Sequence, residues 1–562
     1  MPALLEHVPV LAGQSPRTAS AVGEPRPDDS APSTKDSVTD SDAPDPGKDG
    51  FEVPEKLETS ARSVTSFDVG ATALAKKPEI PWAVKGPVLA MVIFFEVAVY
   101  WNSGLGSIKA TIRNKLGINN AQYGVIQSAQ SLVNTVVPFF SGAIMDYYGA
   151  EISSVVCSTL IFVGYLLAAI GATIDSYPLV VVGEVLAGFG DITVRTSQIK
   201  ITSHWFAGTH LGLVLGLAIS VQRTTGVVSK ATAIPIARHS GYHMFFWVAL
   251  ILQAAALAVN VLYFLYERRV PAQFRAVTGR ALAAQAKKSG DSTRTGGIKL
   301  GFRRFWRSVW LLPAFFWLLI LTQLLQNGVV ISFQGLSADM VRVTRGTTEK
   351  AAGWISAVGQ IPVIILTPLT GVFFDRIGFR VHFIALSALG WIVIFCLLGF
   401  TGLNPIAVTM LQSLPYAINL IPLQAVIALS VSPLQQGSAQ GTYQALVNAG
   451  TVIVSVCSGA IQDVSPKGRK NYNNVLIFML AIKAFDVAAG GLYCLLDLTS
   501  LDKILSRSNA QQRAYNDKVH AGELEPAQTP MLEPKRGWTR AALVIILAQC
   551  IVAWVVFLKY SV

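Results

Sequence analysis

Charge is scarce in this chain: 14% of its 562 residues are Asp, Glu, Lys or Arg, whereas 52% are hydrophobic. Soluble domains carry roughly 25% charged residues, so the composition excludes a string of soluble domains and points to the bilayer. Cysteine is scarce too. Cys157, Cys396, Cys457, Cys494 and Cys550 are odd in number, lie inside apolar runs and show no CxxC spacing, which argues against a disulfide framework or a zinc site. Walker loops, HExxH and nucleophile elbows are missing. His239 and His243 are four apart with no third ligand nearby, and "GLGSIK" at 104–109 follows an apolar run rather than a strand. No enzyme, cofactor or metal site is expected.

Long apolar runs are what the chain has. Thirteen stretches of about twenty residues are each long enough, at ~1.5 Å per residue, to cross a hydrocarbon core of roughly 30 Å. They fall at 86–107, 122–145, 152–173, 177–200, 210–233 and 243–266, then at 309–333, 351–374, 380–400, 404–431, 439–463 and 474–496, with a last at 540–560. The expected fold is an all-α polytopic membrane protein. A six-helix bundle over 86–266 is followed by a basic cytosolic linker (267–308), a second six-helix bundle (309–496), a cytosolic loop (497–539) and an extra transmembrane helix (540–560). Residues 1–80, rich in Ser, Pro, Asp and Gly and without an apolar leader, are expected to be a disordered cytosolic tail.

Segment 267–308 holds eleven Lys or Arg against Glu267 and Asp291, which by the positive-inside rule places it, and with it the amino terminus, in the cytosol. Lys109, Arg113 and Lys115 after the first run oppose this orientation, and the larger cluster decides. The net charge of +12 therefore resides in loops beside membrane spans, so the expected partners are the lipid bilayer and a small-molecule substrate, not nucleic acid. Nothing in the sequence says whether an accessory subunit exists.

Sliding the chain by 229 residues superimposes Gly142, Asp146 and Gly149 on Gly371, Asp375 and Gly378, and also Ser103 on Ser332, Gly106 on Gly335, Gly117 on Gly346 and Gly124 on Gly353. Seven identities at one displacement without gaps indicate a duplication. Two parallel repeats joined by a linker are the organisation of a carrier whose halves rock about a site near the bilayer midplane. The G-x-x-x-D-x-x-G element falls at the cytosolic end of the second span of each half. There its glycines permit a tight loop and its carboxylate can cap a helix or meet a cation of the other half. Gly142, Asp146, Gly149, Gly371, Asp375, Arg376, Gly378 and Arg380 are thus candidate gating residues.

Those two elements resemble the loop signature of the major facilitator superfamily. The second copy keeps the superfamily's basic residues, Arg376 and Arg380; the first has Tyr147, Tyr148 and Ala150 instead. More narrowly, Gly188-x-Gly190 through Gln198 to Trp205-Phe206, "LGLVLGLAISVQR" ending at Arg223, and "GSAQGTYQALVNAG" (Gly437 to Gly450) with Asp463 are similar to the fourth, fifth and eleventh helices of the superfamily's lysosomal dipeptide uniporters. Departures exist: Ile192 stands at that branch's acidic position, with Asp191 beside it, and Glu184 at a basic one. The resemblance implies alternating-access transport of dipeptides or amino acids across a lysosomal or vacuolar membrane, and a substrate-binding arginine at Arg223.

Ionisable groups inside spans cost about 2.5–3.5 kcal/mol each near a helix centre, so each demands a partner or a wet cavity. Asp191 and Arg195, four apart, and Lys483 and Asp486, three apart, can neutralise themselves within one helix. Lys230 joins Arg223 in the fifth span. Arg223 has no acid within four residues; it needs a partner from another helix, with Glu96 and Asp191 as the choices, or a solute carboxylate held by its bidentate fork. A zwitterionic solute also needs an acid for its ammonium group; Asp191, Glu184 and Glu96 are the candidates, in that order. Gln326, Asn327, Asn419, Gln444 and Asn448 are candidate amides for a peptide backbone, although such amides also tie helices together. Pro138, Pro415 and Pro422 permit helix bending. Two alternatives stand beside the peptide carrier: a carrier of another small organic anion, such as a monocarboxylate or sugar acid, and a non-transporting sensor or scaffold.

Overall fold

The computed structural model describes residues 81–206, 211–271, 274–275, 298–431, 435–501, 503–508, 511, 514–515, 518 and 531–561. The amino-terminal 80 residues and parts of the two polar segments lie outside these, including Arg280, Lys287, Lys288 and Arg294.

Every regular element among the described residues is helical. The amino-terminal half comprises α1 (Trp82–Leu116), α2a (Asn120–Val133) with α2b (Pro138–Tyr148), α3 (Ala150–Thr173), α4 (Tyr177–Phe206), α5 (Leu211–Ser240) and α6 (His243–Arg269). The second half comprises α7 (Ala314–Arg345), α8a (Glu349–Val358) with α8b (Ile361–Ile377), α9 (Arg380–Phe400), α10a (Pro405–Leu411) with α10b (Ser413–Ser430), α11 (Gln436–Val464) and α12 (Asn473–Thr499). A last helix, α13, spans Arg536–Ser561. Among the described residues eleven helices are long and apolar enough to cross a membrane, where the sequence led us to expect thirteen. Of the other two expected spans, 122–145 is divided ahead of Pro138, which lacks a backbone donor, and 210–233 falls in the helix Leu211–Ser240, whose first turn lies partly outside the described side chains.

The duplication is visible in the backbone. Gly117 and Gly346 both end a helix in the left-handed conformation, at φ 64° and 65°, where a residue with a Cβ would be strained. Turns interrupt α1 at 93–96 and α7 at 323–325, the same place under the 229-residue displacement. In the α1 interruption the Val92 carbonyl accepts from the Phe95 N–H at 3.3 Å and, more closely, from Gln198 on α4 at 2.7 Å; side chains help to satisfy backbone that lipid cannot.

The repeated glycines also mark where the halves meet. A Cβ on Gly106 would lie 1.9 Å from the carbonyl oxygen of Gly335, so α1 and α7 cross backbone against backbone. A Cβ on Gly124 in α2a would meet the Ser455 carbonyl of α11 at 2.7 Å, and one on Gly353 in α8a would meet the Lys230 carbonyl of α5 at 3.3 Å. Close crossings of this kind replace the hydrophobic effect as the packing force in lipid. Gly106→Ala is expected to destabilise the protein by roughly 1–3 kcal/mol, because the obstructing atom is backbone. Gly142→Ala, with nothing within 4 Å of the added carbon, is expected not to; thermal unfolding in detergent distinguishes the two.

At the end of the bundle opposite the linker, Asp463 of α11 accepts from the Asn120 and Ala121 backbone N–H groups at 3.1 and 3.0 Å, capping α2a. Beside it Lys109, buried in α1, pairs with Asp339 of α7 at 3.4 Å and donates to Gln462 at 2.6 Å; the Tyr472 hydroxyl donates to Asp339 at 2.5 Å. Lys109 is therefore no loop charge, as the sequence suggested, but one half of an ion pair between the two repeats. The linker is not wholly irregular either. Residues Ile298–Trp310 form a helix whose Phe302 stacks on Phe140 and whose Trp306 stacks on Phe139 of α2b. Helix α13 lies on the seam between halves: Gln549 donates to Leu446 of α11 and Trp554 to Thr135 in the break between α2a and α2b.

Candidate functional site

Between the halves, at the level of these helix breaks, lies a cavity of about 190 Å³. From the first half α1 contributes Tyr100, Asn102 and Ser103, α2a contributes Tyr123 and Gln127, and α5 contributes Gln222, Arg223 and Lys230. From the second come Ile331, Gln334 and Gly335 of α7 and Gln360, which sits in the break between α8a and α8b before Pro362. A smaller cavity adjoins Tyr416 and is lined by Gln323, Gln326, Asn327, Asn419 and Lys483.

Arg223 is half-buried, and its guanidinium lies over the rings of Tyr416, 5.0 Å from the centroid, and Tyr100, at 5.9 Å. Its Nη2 donates to the Tyr416 hydroxyl. No carboxylate lies within ion-pair distance of it among the described residues. Both acids that could have neutralised it are taken by Arg195: Glu96 Oε1 is 3.7 Å from Arg195 Nε, and Asp191 Oδ1 is 3.7 Å from Arg195 Nη2. Glu96 accepts in addition from Gln222 at 2.9 Å and Asp191 from Asn134 at 3.0 Å. The aromatic faces offer Arg223 a cation–π environment, and the hydroxyl occupies one donor of a fork with five.

Glu184 has a different environment. Its buried carboxylate accepts from Gln130 at 2.8 Å and Asn102 at 3.1 Å, both of which also reach the Tyr165 hydroxyl at 3.3 Å. Neither Arg223 nor a loop cation pairs with it among the described residues. Asn102 both lines the cavity and holds this acid, so Glu184 is one side chain removed from the cavity that Arg223 enters.

The amides divide. Asn327 and Asn419 line the smaller cavity, as does Gln326, although Gln326 Nε2 is spent on the Ile482 carbonyl at 2.9 Å. Gln444 and Asn448 line neither of these two cavities, and Asn448 donates to the Gln444 carbonyl within α11 at 2.8 Å. Lys483 and Asp486 neutralise one another at 3.0 Å, and Gln323 donates to Asp486 at 3.0 Å. Of the gating candidates, Gly142 lies within α2b and Gly149 ends it, and Gly371 and Asp375 lie in α8b, while the side chains of Asp146 and Asp375 lie outside the described residues. Arg376 is exposed. Gly378 (φ 79°) packs on the Ser506 carbonyl, and Arg380 donates to the Arg507 carbonyl at 2.9 Å, so that this copy docks on the turn after α12. Sequence reasoning missed Tyr100, Tyr416 and Gln360, and the reach of Arg195 to Glu96, for no local spacing announces a partner on another helix. Among the described residues no group of three or more His, Cys, Asp or Glu gathers as a metal site.

The sequence profile of the Major Facilitator Superfamily matches residues 89–341 and 329–560. The chain belongs to the Major Facilitator Superfamily. It is similar to the zebrafish (Danio rerio) lysosomal dipeptide transporter MFSD1, 24% identical over 403 residues that cover 70% of this chain and 82% of that one. It is also similar to the human (Homo sapiens) protein of that name, at 22% over 67% and 79% of the two chains. A Cupriavidus necator protein described as a probable sulfoacetate transporter, SauU, is 21% identical over 39% of this chain and half of its own. Among solved structures, the D-xylose–proton symporter superimposes with a TM-score of 0.55 at 12% identity over 73% of this chain and 97% of that one. A bacterial homologue of the human drug peptide transporters PepT1 and PepT2 superimposes at 0.53 and 14% over 75% and 99%. The chain is thus a multi-pass membrane transporter of this superfamily, not an enzyme.

Proposed function

We propose that this transporter carries dipeptides by alternating access, with Arg223 holding the solute's carboxylate. The observation that carries the reading is a guanidinium that lines the cavity between the halves and has no acid of its own among the described residues. An intramembrane cation left this way is costly, and a solute carboxylate bound through two parallel hydrogen bonds compensates it. The solute's ammonium group is assigned to Glu184 ahead of Asp191, because Asp191 already faces Arg195 and Glu184 faces only amides and Tyr165. Asn327, Asn419 and the Gln326 Oε1 of the adjoining cavity are left for the peptide backbone. The relatives named as lysosomal dipeptide transporters support both this substrate class and a lysosomal membrane, and the Lys and Arg excess of 267–308 favours a cytosolic linker.

A thermal-shift screen of the purified protein tests the reading, since a ligand at 100 times its Kd stabilises the native state by about 2.7 kcal/mol. Dipeptides are expected to raise the unfolding temperature, and lactate or gluconate to leave it in place. A second reading, a carrier of another small organic anion, is favoured by the cations of the larger cavity and by the relative described as a sulfoacetate transporter; the reverse outcome of the screen selects it.

A further inference from the structure

Lys230 has no part in the reading above. It lies seven residues beyond Arg223 on α5, two turns and about 10 Å along the same face, and lines the same cavity. Its ammonium is 3% exposed with the rest of the residue and meets only neutral acceptors, the Gln334 carbonyl at 3.0 Å and the Ser356 hydroxyl at 3.1 Å. Two other buried lysines are treated differently: Lys109 has Asp339 at 3.4 Å and Lys483 has Asp486 at 3.0 Å. The rest of the cavity lining is uncharged, the amides Gln127, Gln222, Gln334 and Gln360 standing beside Leu105 and Ile331. Burying a cation without a counter-charge is a standing cost, which a second anionic group on the solute removes.

We propose that Lys230 is a second anion-binding position, so that the cavity selects solutes with two carboxylates, and among dipeptides those with an acidic first residue. This rests on Arg223 binding the carboxyl terminus. Both acceptors of Lys230 belong to the other half, Gln334 to α7 and Ser356 to α8a, so a carboxylate that draws the ammonium inward also changes a contact between halves. An acid at the first residue sets its side-chain carboxylate farther from the terminal one than an acid at the second does, which suits two cations separated by two helical turns.

The test measures affinities of Glu-Ala, Ala-Glu and Ala-Ala for the purified full-length protein and its Lys230→Met and Lys230→Arg variants, with glutarate and butyrate as a parallel pair. A charge-assisted hydrogen bond to the second carboxylate is expected to give Glu-Ala about a tenfold advantage over Ala-Ala, with Ala-Glu between them. The ratio is expected to fall to about one in Lys230→Met and to persist in Lys230→Arg. Equal affinities for Glu-Ala and Ala-Ala in the unmodified protein, or a ratio unchanged in Lys230→Met, overturn the proposal while leaving Arg223's assignment intact. If no dipeptide binds at all, the peptide reading fails and the glutarate-to-butyrate ratio in the same variants decides the role of Lys230. Should Lys230→Met not fold, a lost preference in Lys230→Arg likewise overturns it.

Discussion

Replacing Arg223 with lysine abolishes most dipeptide binding although the charge is kept. The guanidinium is fixed between the Tyr100 and Tyr416 rings and tethered by the Tyr416 hydroxyl. That holds a planar fork for the carboxylate, whereas an ammonium offers a single point charge on a flexible stem. Truncating one partner of a buried, hydrogen-bonded charge pair costs about 2–5 kcal/mol, equivalent to a loss of roughly 30-fold to several thousand-fold in affinity. Arg223→Lys is expected at the lower end of that range and Arg223→Ala at the upper end, both measured by ligand-induced thermal shift and by uptake into proteoliposomes. Tyr416→Phe, which removes the tether but keeps the aromatic face, is expected to lose less than either.

Asp339→Ala lowers stability by about 3–5 kcal/mol, because it strands the Lys109 ammonium in a site with 1% exposure. The Tyr472 hydroxyl and Arg342, 2.6 Å from Asp339 in the intact protein, lose their acceptor at the same time. The double variant Lys109→Met/Asp339→Leu, which removes both charges, is expected to recover most of the stability, since apolar replacement of a buried pair is often neutral. It is not expected to recover transport. Lys109 lies on α1 and Asp339 on α7, so this network holds one end of the bundle shut, and without it the closed state loses a polar latch. Unfolding in detergent reports the first effect and proteoliposome uptake the second; a double variant as unstable as Asp339→Ala would show that the pair is not what the stability depends on.

What the primary structure revealed was whatever repeats or lies close along the chain. The 229-residue displacement located Gly117 and Gly346, whose φ values differ by one degree, and Gly106 and Gly335, which prove to touch. Lys483 and Asp486 were legible for a similar reason, since a spacing of three places both on one face. Contacts between helices were not legible. Arg195 was readable only as the partner of Asp191 one turn away, yet it also reaches Glu96 of α1, which no spacing encodes. Lys109 was misjudged because it sits just past an apolar run, where a loop is the simplest reading; α1 continues to Leu116 and carries it into the interface. That Arg223 has no acid on its own helix was legible, while Glu96 and Asp191 stayed open as partners, and the aromatic pair that frames it belongs to α1 and α10b and had no local signal.

The central claim is that Arg223 binds the solute's carboxylate, and a cycle of binding free energies between protein and ligand tests it most directly. Ala-Ala and its carboxy-terminal amide are each titrated against the unmodified protein and Arg223→Met. If the guanidinium and the carboxylate meet, amidation is costly in the unmodified protein and nearly free in the variant, leaving a coupling energy of about 2 kcal/mol or more. Equal losses on amidation in both proteins, a coupling near zero, would mean that the carboxylate lies elsewhere and would contradict the account.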